Sequence, residues 1–275
     1  MNLINLLQII TRKKIIVPFY HTVAEQPLPH IKHLYRMKTV EEFQKDLNFL
    51  LKYFEPIDIE TLYHLHIHKT VPKKPVFHLT FDDGMTEIYD IVAPILLKKG
   101  ISATFFVNSA FVDNKALFYR HKDSLELEGV PIDDFLNKEK PYLTTEQIKD
   151  LSKWGFTIGA HSVDHPYYYK IPFDEQLRQT RESLDFVSSI VTQKLRLFAF
   201  PFTDYIVSKQ FFKEIELDVD LCFGTAGLKN DEMPFNIQRI DGEKDKIKSL
   251  EVLLKKEYLK YLVKFFLKRD TIYHN

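Results

Sequence analysis

The sequence predicts a single parallel α/β domain, built either as a (β/α) barrel or as an open sheet. Compact β-branched and aromatic runs alternate with helical patterns along most of the chain. No Pro/Gly/Ser linker, internal repeat or low-complexity tract interrupts them. At 275 residues the chain can bury a full core within one large domain.

The first strand is "KIIVPFY" (14–20), ending at His21. "TVEEFQKDLNFLLKYF" follows as a helix, with Thr39 as N-cap and Phe43, Leu47, Leu50, Leu51 and Phe54 at helical spacing. In "YHLHIH", His64, His66 and His68 alternate with no carboxylate at a strand end to join them, and read as surface residues. "PVFHLTF" (75–81) is the next strand and runs into Asp82, Asp83 and Gly84. "EIYDIVAPILLKKG" closes with Lys98 and Lys99 before Gly100, a helix C-terminal signature. "SATFFVN" (102–108) is again a strand, and residues 109–143 form a longer, more polar excursion over the site. "TTEQIKDLSKWG" opens with a capping box, Thr144 to Gln147, stops at Gly155 and carries Trp154 as a core residue. The strand "GFTIGA" (155–160), the amphipathic helix "DEQLRQTRESLDFVSSI" and the strand "LRLFAFPF" (195–202) complete the alternation. The domain spans 1–242, and 243–275 is a basic helical extension packed on it. The alternative for this tail is weak membrane-surface contact, with Lys on one side and Leu, Phe and Tyr on the other.

Composition narrows the class. The 38 basic and 38 acidic residues balance, so nothing global attracts nucleic acid, and no nucleic-acid-reading motif is present. The single Cys222 cannot form an internal disulfide, which fits a reducing compartment. The N-terminal apolar run is short, carries Asn2, Asn5 and Gln8, and has its basic residues after it rather than before. The expectation is a cytoplasmic protein without a secretory signal or a membrane span.

In either parallel architecture, functional groups collect at the C-terminal ends of strands. His21, Asp82, Asp83, Asn108, His161 and Phe202 stand at such ends. Two adjacent carboxylates there cost desolvation unless a cation, a metal or a base takes up the charge. "GAHSVDHP" places His161 and His165 four residues apart, and Pro166 favours a tight loop over a helix. One carboxylate and two imidazoles leave positions open for water, as catalytic metal sites require. The second carboxylate is then free to act as a base on that water.

"LTFDDG", "ATFFV", "GFTIGAHSVDHP" and "FAFPF", in this order, resemble the successive motifs of the polysaccharide deacetylases, also called the NodB-homology or carbohydrate esterase 4 family. The likeness runs over roughly residues 14–240. It implies a distorted, incomplete (β/α) barrel with a metal at its C-terminal mouth. It makes Asp83, His161 and His165 the ligands of a divalent ion, with zinc the first choice and iron, cobalt or nickel accepted by the same set. It makes Asp82 the general base and gives the backbone N–H of Phe202, after Pro201, to the oxyanion.

The chain also departs from the family pattern. The Arg that many members carry two residues before the motif proline is Ala199 here, so Arg239 in "IQRIDG" is the first substitute and Arg120 in "LFYRHK" the second. The late acidic–aromatic motif has only Asp218 or Asp220 as stand-ins. The late general-acid histidine is missing. His274 lies at an end expected to fray, so His21 in "VPFYHTV" is the better candidate. The early "YH" resembles the exopolysaccharide-type branch. The implied activity is metal-dependent removal of N-acetyl groups from an amino sugar of a glycan or glycan precursor. The alternatives are a sugar O-acetyl esterase and a catalytically inactive carbohydrate-binding relative. Tyr119, Tyr167, Tyr168 and Tyr169 are candidates for stacking on sugar rings.

Overall fold

A computed structural model of the chain describes residues 3–244 and 249–275. Eight parallel strands form the main sheet. Their spatial order is Asn236–Gln238, Leu221–Gly224, Leu197–Ala199, Thr157–Ala160, Ala103–Val107, Leu79–Phe81, Pro18–Tyr20 and Ile240–Asp241. The two ends of this series are consecutive in sequence, separated only by Arg239. At that residue the chain changes partner: Arg239 N–H donates to Gly224 O at 3.1 Å, and Ile240 N–H to Val17 O at 2.9 Å. The sheet therefore comes round on itself as a nearly closed barrel, distorted at the split between Gln238 and Ile240.

The barrel forms because its strands are apolar on both faces, as parallel strands must be when helices cover the outside. Phe81, Phe105, Ile158 and Phe198 are fully buried, and Phe105 lies in register with Phe81 on one side and Ile158 on the other. The crossover helices include Val40–Tyr53, Ala93–Lys99, Thr145–Lys153 and Phe173–Ile190. The predicted capping box forms at Thr144/Gln147, and the predicted N-cap Thr39 forms one as well, with Glu42. Gly100 ends its helix in the left-handed conformation, φ 64°, which costs glycine nothing sterically.

Several expectations are corrected. Of the histidines expected at the surface in "YHLHIH", His64 and His68 are exposed but His66 is half-buried, because the stretch lies in the helix Ile59–Ile67 and at its C-cap. Trp154 is a C-cap residue, 40% exposed and stacked on Tyr89, not a core residue. His274 is buried rather than frayed, because Asp231 and the Val207 carbonyl bind its ring. The excursion 109–143 contains two short α-helices, Tyr119–Leu127 and Ile132–Lys138, and a 3-10 turn at Val112–Asn114.

The N-terminal run forms a helix, Leu3–Thr11, packed against the C-terminal helix Leu250–Phe266. In the latter, Leu250, Leu253, Leu254 and Tyr258 are buried. Residues 245–248 of the predicted basic tail, and Asn2, lie outside the described residues. No helix among the described residues is long and apolar enough to cross a membrane.

Candidate catalytic site

The Leu79–Phe81 strand delivers Asp82, whose N–H still bonds Tyr20 O at 2.9 Å. The chain then turns through Asp83 (φ 69°) and Gly84 (φ 62°). A Cβ on Gly84 would stand 3.0 Å from Val107 Cγ1, so glycine is needed there for both space and backbone. The second loop leaves Thr157–Ala160 at His161 and turns at Ser162 (φ 69°) and His165 (φ 60°). Ser162 Oγ accepts the His165 N–H at 3.0 Å, and Gln179 Oε1 accepts the N–H groups of Val163 and Asp164 at 2.9 and 3.2 Å. Phe202, after the third strand, also has positive φ (60°). Four non-glycine residues in this sparsely populated region meet at one mouth, where surrounding packing must hold them.

Asp83 Oδ1 lies 3.4 Å from His161 Nε2 and 3.3 Å from His165 Nε2. His161 Nδ1 donates to the Ala199 carbonyl at 2.8 Å, which leaves a lone pair on Nε2 facing the carboxylate. Asp83 Oδ1 is buried without a hydrogen-bond partner among the described residues. Burial alone would raise the Asp83 pKa, but His165 and His161 hold it well below the ordinary carboxylate range. Burial pushes His165 down, against the pull of Asp83, and so favours the neutral ring. A buried carboxylate gathered with two imidazole Nε2 atoms at ligand-like spacing is what a divalent ion satisfies, so the three residues fit such an ion.

Asp82 is gripped differently. Arg239 Nη1 and Nη2 donate to its two oxygens at 2.7 and 2.8 Å, a bidentate fork. The guanidinium is fully buried and also bonds Thr80 and the Gly224 carbonyl. It sits over the Phe19 ring at 4.6 Å. Burial raises the Asp82 pKa, yet Arg239 and then His161 lower it below the ordinary value. His21 Nδ1 lies 2.6 Å from Glu243 Oε2 and its ring stacks on Tyr35 at 4.1 Å. Burial opposes the charged imidazole, but Glu243 overrides it and pushes the pKa up to about 10.

His21, Asp82, Asp83, His161, His165 and Phe202 line one pocket of about 210 Å³. Phe202 stacks on Tyr167 at 3.7 Å and meets His165 edge-on. No hydrogen bond from its N–H is formed among the described residues. Arg120, from the excursion, lies over the Phe202 ring at 5.7 Å and not against Asp82. Asp218 pairs with Arg181, and Asp220 accepts the Arg196 N–H, so neither lines the pocket. Tyr168 is a core residue bonded to Thr180, while Tyr119 and Tyr169 are exposed. Sequence reasoning missed Glu243 and Tyr35; the signal for Glu243 was its position just beyond a strand end in "RIDGE".

A second group, Asp204, Asp231 and His274, also has ligand-like spacing. Here the amides of Asn236 and Gln238 each donate to both carboxylates. The carboxylates are thus satisfied without an ion, and the group ties the C-terminal residues to the barrel. A larger cavity of about 570 Å³ shares no lining residue with the catalytic-type pocket.

A family model described as "Polysaccharide deacetylase" matches residues 69–216. YxkH of Bacillus subtilis (strain 168), which carries a polysaccharide deacetylase name, is 24% identical over 134 residues. That alignment covers 49% of this chain and 39% of YxkH, so the chain spans well under half of that relative. Among solved structures, the Streptococcus pyogenes deacetylase PplD in complex with acetate superposes with a TM-score of 0.66 at 21% identity, over 88% of this chain and 97% of that one. IcaB from Ammonifex degensii gives 0.64 at 17%, over 89% and 95%. These structural likenesses carry the barrel fold.

Proposed function

Because this chain belongs to the polysaccharide deacetylase family, we propose that it is a metal-dependent hydrolase removing N-acetyl groups from an amino sugar of a polysaccharide or glycan precursor. The observation that carries this reading is the pairing of two unlike carboxylates. Asp83 faces two imidazoles with an oxygen left bare, while Asp82, its neighbour, is locked by Arg239.

Asp83, His161 and His165 would hold the divalent ion, zinc first by donor type. When bound, such an ion supplies Lewis acidity to water and to an acyl oxygen. Asp82 takes the proton from the attacking water, and the Arg239 fork keeps its carboxylate ionised and oriented. Arg239 makes Asp82 a weaker base but a fixed one. The Phe202 N–H donates to the acyl oxygen as negative charge develops there. His21, charged and tied through Nδ1 to Glu243, gives its Nε2 proton to the departing nitrogen. A C–O bond forms, the C–N bond breaks, and acetate and a free amine leave. The charged His21 favours the amide over the ester, because an amine departs only when protonated.

Acetate release from N-acetylglucosamine oligosaccharides tests this reading. Activity is expected to vanish with a chelator and return on adding zinc, cobalt, nickel or iron(II). Release that ignores chelation overturns the metal assignment. Exposed Phe265 and Phe266 beside the lysines of the last helix support the further reading that it touches a membrane surface weakly.

A further inference from the structure

One wall of the catalytic-type pocket is shared. Thr225 and Asp241 line both that pocket and a neighbouring groove of about 480 Å³. The groove lies against the Leu250–Phe266 helix, and four lysines reach it: Lys229, Lys244, Lys260 and Lys264. Two carboxylates line it as well, Asp241 and Glu257. Glu257 is taken by Lys260 at 2.9 Å, and Asp241 accepts the Glu243 N–H at 2.9 Å. Among the described residues, no carboxylate lies within ion-pair distance of Lys229, Lys244 or Lys264.

Like charges are not gathered in a concave space without cost. Burial first, and then Lys229, lowers the Lys264 pKa; Glu257 opposes, and Lys260 and Lys244 add to the lowering. The lysines sense one another, and among the described residues no carboxylate forms an ion pair with Lys229, Lys244 or Lys264. Tyr205 stands at the same groove, more than half exposed, as a flat face on which a sugar ring can stack.

We propose that this groove is an anion-binding subsite, which holds a phosphate or carboxylate group of the glycan while a neighbouring acetamido sugar occupies the pocket across Thr225 and Asp241. The inference rests on the deacetylase reading for its substrate and names that substrate's class: acidic acetylated glycans. Lysine suits this task as a mobile point charge, and an acid group arriving among these ammoniums relieves their mutual repulsion.

The test compares the full-length protein with Lys229→Gln/Lys264→Gln, both carrying the same metal. Binding of inorganic pyrophosphate is measured by calorimetry, and acetate release on a neutral N-acetylglucosamine tetramer and on a hyaluronan tetrasaccharide, whose alternate sugars are carboxylates. The proposal expects pyrophosphate affinity to drop at least tenfold in the variant. KM for an acidic substrate rises by a similar factor with kcat unchanged, and the neutral tetramer is unaffected. Pyrophosphate binding without a change on hyaluronan assigns the groove to phosphate; a change on both assigns it to either anion. Equal pyrophosphate binding by both proteins, or none by either, overturns the proposal. So does a variant that loses only its cosedimentation with phosphatidylserine vesicles, which would turn the lysines toward a lipid surface. If the wild type releases acetate from neither oligosaccharide, the deacetylase reading fails, and pyrophosphate binding still decides the groove.

Discussion

Arg239 is the residue on which the site's logic turns. It occupies the single position where the closing segment changes partner, and its side chain meets Asp82 inside the barrel. In the sequence it was only the first of two substitutes for a missing motif arginine. The Ala199 position that lacks the arginine instead offers its carbonyl to His161. Arg239→Lys keeps the charge and loses the fork. Turnover is expected to fall roughly 10–100-fold with metal content unchanged, read by acetate release and metal analysis. Arg239→Met leaves Asp82 as an unpaired buried anion, and urea unfolding should show a loss of about 3–5 kcal/mol. His21→Gln removes the proposed acid, and kcat should fall by roughly a hundredfold or more while the metal stays. Unchanged activity there would move the acid role elsewhere.

At the scale of elements, the boundary signals in the sequence proved strong wherever a side chain closes a backbone hydrogen bond. Thr39 and Thr144 cap their helices as read, since hydroxyl and N3 side chain each satisfy an orphan donor. Thr39→Ala should cost about 1 kcal/mol in thermal or urea unfolding, with no effect on turnover. The main-sheet strands that went unread are Leu221–Gly224, Asn236–Gln238 and Ile240–Asp241. They are short, and the last two carry Asn236, Gln238 and Asp241, whose polarity is explained by partners distant in sequence or by local turns. Periodicity cannot register such compensation. The same blindness hid Glu243, because its reason for burial is His21, 222 positions away. On the last helix, Phe265→Ser/Phe266→Ser should reduce flotation with lipid vesicles. Equal flotation of variant and wild type removes the membrane reading.

For the whole molecule, Asp82, Asp83, His161 and His165 were legible as candidate site residues because they sit in compact motifs at strand ends, while the tertiary partners of those residues were not. The barrel also buries neutral imidazoles outside the site. Burial holds His30 and His78 down to about 4 and, with His30 adding, His121 to about 3. Folded values below the ordinary 6.5 mean the unfolded chain binds more protons between pH 6.5 and about 4, so stability falls as pH drops through that window. For His78, which bridges the Ile57 carbonyl and Thr104, the cost approaches about 3 kcal/mol. Urea unfolding from pH 7 to 4.5 should show this decline, and His78→Gln should flatten it by about one proton.

The central claim is a division of labour between adjacent acids, and metal analysis of two variants tests it most directly. Asp82→Asn should retain one divalent ion per chain and release no acetate, whereas Asp83→Asn should lose the ion. A metal-free Asp82→Asn beside a metal-replete Asp83→Asn would contradict the account.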